Sequence, residues 1–315
     1  MDNKNDIMLS IYVATYNHEN YIARALDSIL MQKTKYKFEV LVGEDKSTDK
    51  TREILQKYEQ EHPGFFTMFY REKNMYHSEC NNSVDLMRRC TGKYIIALEG
   101  DDFWADENKL EKQIDFLETH PEYIAVAHNC VVVGEDSEPI DEEYPECKET
   151  EYTFEHYFSE IMPGQLATFM YRNYLKDDSF DSSIFDENLS PGDRLLYFSL
   201  LCNGKIYCIQ EKMSAYRHIT THGTSFSANY KFNYAGQKKW QMTLIEYARK
   251  HCRKKWVKIA EYQQLNFIMR GVVFKQISLK QAFKDYSLLK YKITVFFVGF
   301  KRLVNKKILH KKLFT

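Results

Sequence analysis

A chain of 315 residues, 44% hydrophobic and 28% charged, is long enough to bury a sizeable core and carry an appendage, and its composition excludes a disordered tail. Its 44 Lys and Arg cancel its 44 Asp and Glu, so overall positive charge does not draw it to nucleic acid. The neutrality hides a division: residues 231–315 hold 21 basic side chains against three acids (Glu246, Glu261 and Asp285), an excess of 18 that the acidic remainder balances.

In chain order, the first 130 residues alternate β-rich runs with helical patterns, which predicts a parallel α/β sheet. Ile7–Ala14 reads as the first strand and Tyr21–Met31 as a helix with its stripe at Ile22, Ala25, Leu26 and Ile29. Phe38–Val42, Phe65–Tyr70 and Tyr94–Leu98 read as further strands, separated by helices over Thr51–Tyr58, capped by Ser47 or Thr48, and over Ser83–Arg89. A helix over Asn108–Thr119 and a strand over Ile124–Val133 follow, then an acidic surface loop over Glu135–Glu151. Leu166–Tyr171 reads as a strand, Asp193–Cys202 as a helix, and Ile206–Ile209 and Met213–Tyr216 as short closing strands. Residues 228–315 read as basic helices with Gly271 as the main internal breaker.

The seven cysteines form an odd set without a C-x-x-C pair, unlike a disulfide framework or a zinc site, so a reducing, cytoplasmic compartment is expected. The N-terminus turns polar before a signal peptide is complete, and the late apolar stretch Ile293–Phe300 is too short to cross a bilayer. Lys301-Arg302, Lys306-Lys307 and Lys311-Lys312, interleaved with aromatics, suit peripheral contact with an anionic membrane face or a partner; the plainer alternative is a solvated helix face.

The chemistry concentrates where Tyr94–Leu98 runs into Glu99-Gly100-Asp101-Asp102. Carboxylates at the C-terminal end of a buried strand stand where open α/β sheets hold ligands, and they suit a hard cation such as Mn²⁺ or Mg²⁺, which in turn grips a diphosphate. An isolated Asp-Asp pair is more often a turn or cap; the strand before it and Phe103-Trp104 after it favour the site.

Four stretches in order resemble the family two glycosyltransferases of GT-A fold: Ser10–Asn17 with Tyr21, Val42–Thr51, Gly92–Asp102, and Pro191-Gly192-Asp193. The resemblance covers roughly residues 7–227, and implies a nucleotide-sugar half over about 1–130, an acceptor half over 131–227 and a helical extension over 228–315. It implies that Thr15, Tyr16 and Asn17 seat the nucleotide and that Asp45 contacts a pyrimidine base, whose N3–H a carboxylate accepts. It makes Asp101 the first metal ligand, with Glu99 and Asp102 supporting it or touching the sugar, and Asp193 the base that deprotonates an acceptor hydroxyl, kept ionised by its helix N-terminus. Arg217 is implied at the diphosphate, and either His218 or His222 in the metal shell. Gln165 and Thr168 border the implied acceptor pocket, and Trp104 offers a face for a sugar.

The activity this implies is inverting transfer from a nucleotide-diphosphate sugar, preferentially a UDP-sugar, to a glycan or lipid-linked glycan in polysaccharide, lipopolysaccharide or capsule synthesis. The chain departs from the usual pattern with Glu44 for Asp, Lys46 for Gly, Glu99 for Asp and Gly192 for an acid. Two rivals remain: a sugar-phosphate nucleotidyltransferase, which usually needs a Gly-rich basic loop that Thr15–Glu19 lacks, and a non-catalytic nucleotide-sugar or membrane scaffold with a degenerate site.

Overall fold

The first strand, β1 (Leu9–Thr15), is buried along nearly its whole length because it lies inside the sheet with neighbours on both edges. This computed structural model describes residues 7–76, 78, 80–177, 179–185, 189, 192–219 and 231–293; Pro191, His222 and the basic pairs from Lys301 onward lie outside them. Helix α1 (Ile22–Leu30) buries the stripe Ile22, Ala25, Leu26 and Ile29, the i, i+3, i+4, i+7 set read in the sequence. Each of its larger apolar side chains contributes roughly 1.5–3 kcal/mol on burial.

Then come β2 (Phe38–Glu44), α2 (Thr51–Glu61), β3 (Phe66–Tyr70), α3 (Asn82–Arg89) and β4 (Tyr94–Glu99). They are followed by β5 (Phe103–Trp104), α4 (Lys109–Thr119), β6 (Tyr123–Val133), β7 (Glu151–Tyr152), α5 (Phe154–Phe158), β8 (Met170–Arg172), α6 (Gly192–Asn203) and β9 (Lys205–Arg217). One sheet runs β3-β2-β1-β4-β8-β6-β9-β5, with β7 also paired to β9. β1 to β4, β6 and β9 are mutually parallel, while β8, β5 and β7 run against them. The architecture is mixed α/β, a mostly parallel sheet flanked by helices.

Three sequence expectations change here. Leu166–Tyr171 splits into a 3₁₀ turn over Leu166–Thr168 and the short β8, because Gln165 caps the turn by accepting from the Ala167 N–H. The two closing strands are one continuous β9: register shifts opposite His128–Cys130 bulge Gln210–Lys212 out to solvent without ending the pairing. The acidic loop is exposed over most of its length but tied down at Glu146, whose buried carboxylate accepts from the Cys130 N–H at 3.0 Å.

The chain divides into two compact units, the first holding the sheet. The second gathers α6, which the sequence places with the sheet, together with α7 (Tyr234–His251), α8 (Lys254–Val273) and α9 (Leu279–Ser287). Within it Phe198 of α6 meets Tyr247 of α7 edge to face at 6.3 Å, and the Cys202 and Cys252 thiols stand 3.3 Å apart. Gly271 does not break α8; a Cβ there would meet the Tyr234 ring at 2.6 Å, so its bareness admits that ring. All seven cysteines are unbridged, and among the described residues no helix is long and apolar enough to cross a membrane.

Candidate active site

Parallel registry brings three strand ends to one place: Thr15 pairs with Glu44 of β2, and Ala14 with Glu99 of β4. The loops leaving β1 and β2 then bind each other. The Asp45 N–H donates to the Thr15 carbonyl at 3.0 Å, the Asn17 N–H to Ser47 Oγ at 3.0 Å, the Thr48 N–H to Asn17 Oδ1 at 2.8 Å and the His18 N–H to Thr51 Oγ1 at 2.8 Å. Ser47 and Thr48 therefore tie the two loops rather than cap α2, whose Thr51 N–H is taken by Asp49 Oδ1 at 2.9 Å. Asn17 and Lys46 both adopt left-handed φ, of 55° and 62°, which Asn tolerates well and Lys only at a cost of roughly 1 kcal/mol. That geometry is the physical reason for a glycine at the Lys46 position.

Tyr16 is half-buried at this rim and Asp45 is buried. Asp45 Oδ1 accepts from the Met75 N–H at 2.8 Å, so the loop after β3 holds the carboxylate. Burial pushes the Asp45 carboxyl above its usual range, against the pull of the Met75 N–H and Arg71. The neighbouring Glu44 braces the loop instead, its buried carboxylate taking the Ser47 N–H on one oxygen and the Arg52 guanidinium on the other.

The acidic turn closes against these loops. Gly100 donates its N–H to the Ala14 carbonyl at 3.1 Å, and a Cβ there would meet Thr15 Oγ1 at 2.6 Å and His18 Nδ1 at 2.7 Å. Glu99 is exposed, Asp101 is half-buried with Oδ2 3.9 Å from His18 Nε2, and Asp102 is buried. Asp102 Oδ1 accepts from the Arg217 N–H at 2.7 Å, while Asp102 Oδ2 is buried without a hydrogen-bond partner. Burial, with the charges of Asp101 and Glu99, pushes the Asp102 carboxyl well up.

A buried orphan carboxylate oxygen beside two further acids is the donor chemistry of a hard divalent cation. Among the described residues no group of three or more His, Cys, Asp or Glu is arranged to hold a metal; Asp101 and Asp102 are the residues whose oxygens would suit such an ion.

Several residues take other places than the sequence suggested. Arg217 does not offer its charge to a diphosphate: its guanidinium is buried and donates to the carbonyls of Asp101, Gly134 and Glu135 and to Ser137 Oγ, while its face lies 4.1 Å from the Tyr21 ring centre. It holds the acidic turn in place. Trp104 belongs to the core instead of to a sugar, its indole N–H donating to the Ala167 carbonyl at 3.0 Å and its ring covered by the Lys109 ammonium at 4.3 Å. Thr168 is buried too, its hydroxyl donating to the Gln165 carbonyl at 2.8 Å; Gln165 is buried with its amide nitrogen lacking a partner. His218 Nδ1 lies 2.6 Å from Glu142 Oε2, in the acidic loop.

Asp193 opens α6 in the second unit, its Oδ1 accepting from the Arg194 N–H at 2.8 Å. Burial raises its carboxyl above the ordinary value and outweighs the Arg194 N–H and guanidinium, so burial opposes the helix N-terminus that the sequence suggests keeps it ionised. Sequence reasoning missed His18, whose one signal is its place directly after Thr15-Tyr16-Asn17, and Lys109, which is fully buried.

A mostly parallel sheet whose strand ends gather a seating loop, a buried aspartate and an acidic turn is the GT-A architecture. The Glycosyl transferase family 2 profile matches residues 10–177. The chain belongs to that family. It is 31% identical over 226 residues to an uncharacterized protein of Mycobacterium tuberculosis, covering 70% of this chain and 61% of that one. It is also 34% identical over 110 residues to the putative teichuronic acid biosynthesis glycosyltransferase TuaG of Bacillus subtilis, covering 35% and 42%. The chain thus spans about three fifths or less of these relatives' lengths. Among solved structures, Staphylococcus aureus TarS 1-349 in complex with UDP-GlcNAc superposes with a TM-score of 0.64 at 19% identity, covering 92% of this chain and 81% of that one.

Proposed function

We propose that the protein is an inverting, metal-dependent glycosyltransferase that carries a sugar from a UDP-sugar to a hydroxyl of a cell-surface glycan precursor at the cytoplasmic face of the membrane. One observation carries the reading: a glycine-tight acidic turn, pinned by Arg217 against the loop after β1, keeps a buried Asp102 oxygen without a hydrogen-bond partner. The UDP-GlcNAc complex of the fold neighbour and the teichuronic acid assignment of a relative support the donor and acceptor classes.

In this reading Thr15, Tyr16 and Asn17 seat the nucleoside and Asp45 contributes a carboxylate oxygen to the base. A Mn²⁺ or Mg²⁺ ion on Asp101 and Asp102 supplies charge neutralisation at the diphosphate. Glu99 lies on the sugar side, and Gln165, with its unpartnered amide nitrogen, on the acceptor side. Asp193 takes the proton of the acceptor hydroxyl, and that oxygen attacks the anomeric carbon in one displacement, without a covalent enzyme intermediate.

The test is a panel of nucleotide-diphosphate sugars with Mn²⁺, Mg²⁺ or EDTA, reading released nucleoside diphosphate with water as acceptor. Slow release from one donor, lost in EDTA and in Asp101→Ala, is the expected result. Donor binding with no release from any donor or acceptor supplied, unchanged in Asp193→Asn, favours a scaffold. No binding of any donor refutes the reading.

A further inference from the structure

Helix α9 is built inside out. Its one buried residue is an acid, Asp285, 2% exposed, while Leu279 and Phe283, one turn apart on one side, are 67% and 73% exposed. Asp285 faces inward onto the Tyr234 hydroxyl and the Lys238 ammonium, each at 2.6 Å, and accepts from Gln281 Nε2 at 2.9 Å. An ordinary surface helix turns its apolar stripe to the core and its charges to water; this one turns an acid inward and leaves Leu279 and Phe283, with its lysines, in water.

The exposed apolar side chains continue beyond the helix. Most of the large hydrophobic residues exposed among the described ones fall between Met269 and Ile293: Val273, Phe274, Leu279, Phe283, Leu288 and Ile293 among them. Interleaved with them, Arg270, Lys275, Lys280, Lys284, Lys290 and Lys292 are all exposed, and no acid stands among them except the inward Asp285. Of the three acids after residue 230, Glu261 is also buried, paired with Arg249 at 2.9 Å, which leaves Glu246 alone at the surface. Lys280 and Lys284 flank Leu279 and Phe283 at helical spacing, so apolar side chains and ammonium groups share one side of α9.

We propose that this face of the second unit, centred on Leu279 and Phe283 and ringed by lysines, docks on an anionic lipid bilayer. Apolar side chains that enter the headgroup–acyl boundary, beside lysines whose stems reach along it and whose ammonium groups meet lipid phosphates, fit that surface in both shape and charge. A second copy of the chain offers the same cationic face and so repels where a membrane attracts. The inference does not depend on the donor or acceptor reading and is tested without turnover.

The experiment is co-sedimentation of the full chain with vesicles of phosphatidylcholine alone or mixed with phosphatidylglycerol. The chain is expected to sediment with the anionic vesicles and be released by added salt, and to bind neutral ones about tenfold more weakly. Leu279→Ser with Phe283→Ser, and separately Lys280→Glu with Lys284→Glu, are each expected to weaken binding about tenfold or more. All four side chains are exposed, so circular dichroism and melting should match the parent; the charge pair stands as the second variant if the apolar pair misfolds. Failure of the parent to bind anionic vesicles, equal binding to both vesicle types, or parent-like binding by both variants overturns the proposal. Concentration-dependent dimerisation abolished by the serine pair would also overturn it, in favour of a second copy as occupant.

Discussion

A methyl group at Gly100 has nowhere to go, because the atoms it would strike belong to Thr15, at the end of β1, and to His18, in the loop after it that seats the nucleotide in the proposed function. Gly100→Ala is therefore expected to cost about 1–3 kcal/mol of stability and to lower nucleoside diphosphate affinity at least about tenfold, read by melting and calorimetry. Gly192, with nothing within 4 Å of its would-be Cβ and a helical setting, is the control: Gly192→Ala should be neutral or stabilise by up to about 1 kcal/mol. Glu44 shows how a departure from a family pattern becomes intelligible. Its carboxylate spans from the Ser47 N–H to Arg52, and the shorter aspartate cannot hold both. Glu44→Asp, although it restores the commoner residue, should destabilise by about 2 kcal/mol in urea unfolding, while Glu44→Gln keeps the Ser47 bond and loses only the ion pair. Neither reason was legible in the sequence. The acidic turn was, because a buried strand ending in three carboxylates is a local pattern; the contacts that give Gly100 and Glu44 their roles come from other loops.

Among the elements, β1 to β4 and α1 were legible because each is a mostly apolar run or stripe. β9 was not, since Gln210–Lys212 read as a break and only the partner strand β6 reveals the bulge that carries the pairing through. The same distance effect misplaced Trp104 and Arg217. Each has the residue type of a ligand contact, yet each is committed to a backbone group far along the chain, whereas Thr168 is committed locally, to the Gln165 carbonyl three residues before it. Helix α6 carries a consequence for pH. A base works only when ionised, and burial raises the Asp193 carboxyl, so the acid limb of a kcat profile should lie above the ordinary aspartate range near 4, with turnover rising as pH rises through it. Asp193→Glu should shift that limb while leaving donor affinity intact. An acid limb unchanged by that substitution would remove Asp193 from the role of base.

At the scale of the molecule, both units turn polar groups inward. The first does so around a large apolar core on the sheet, with Glu44, Asp102, Lys109 and Arg217 buried; in the second Asp285 is the clearest case. Burial opposes the charged form of Asp285, but hydrogen bonds from Lys238, Tyr234 and Gln281 outweigh it and its carboxyl lies below the usual range. A carboxyl depressed in the folded state stabilises above its unfolded value near 4 and loses that contribution as pH falls through the folded one. Asp285→Asn should thus destabilise by about 2 kcal/mol at pH 7, with melting curves of variant and parent converging in acid below pH 4.

The pinning of the acidic turn by Arg217 also fixes an order of events during synthesis. The turn's partner on β9 lies 115 residues further along the chain, and β5 pairs with no strand but β9 among those described. At about 5–20 residues per second, the carboxylates leave the ribosome on the order of 10 s before the strand that anchors them exists. Through that interval the nascent chain can pair β1 with β2 and β4 and seat Gly100 on the Ala14 carbonyl, yet Asp102 still lacks the Arg217 N–H that holds it. A ribosome-bound chain halted before Ser214 would carry every acid of the turn and still lack the site.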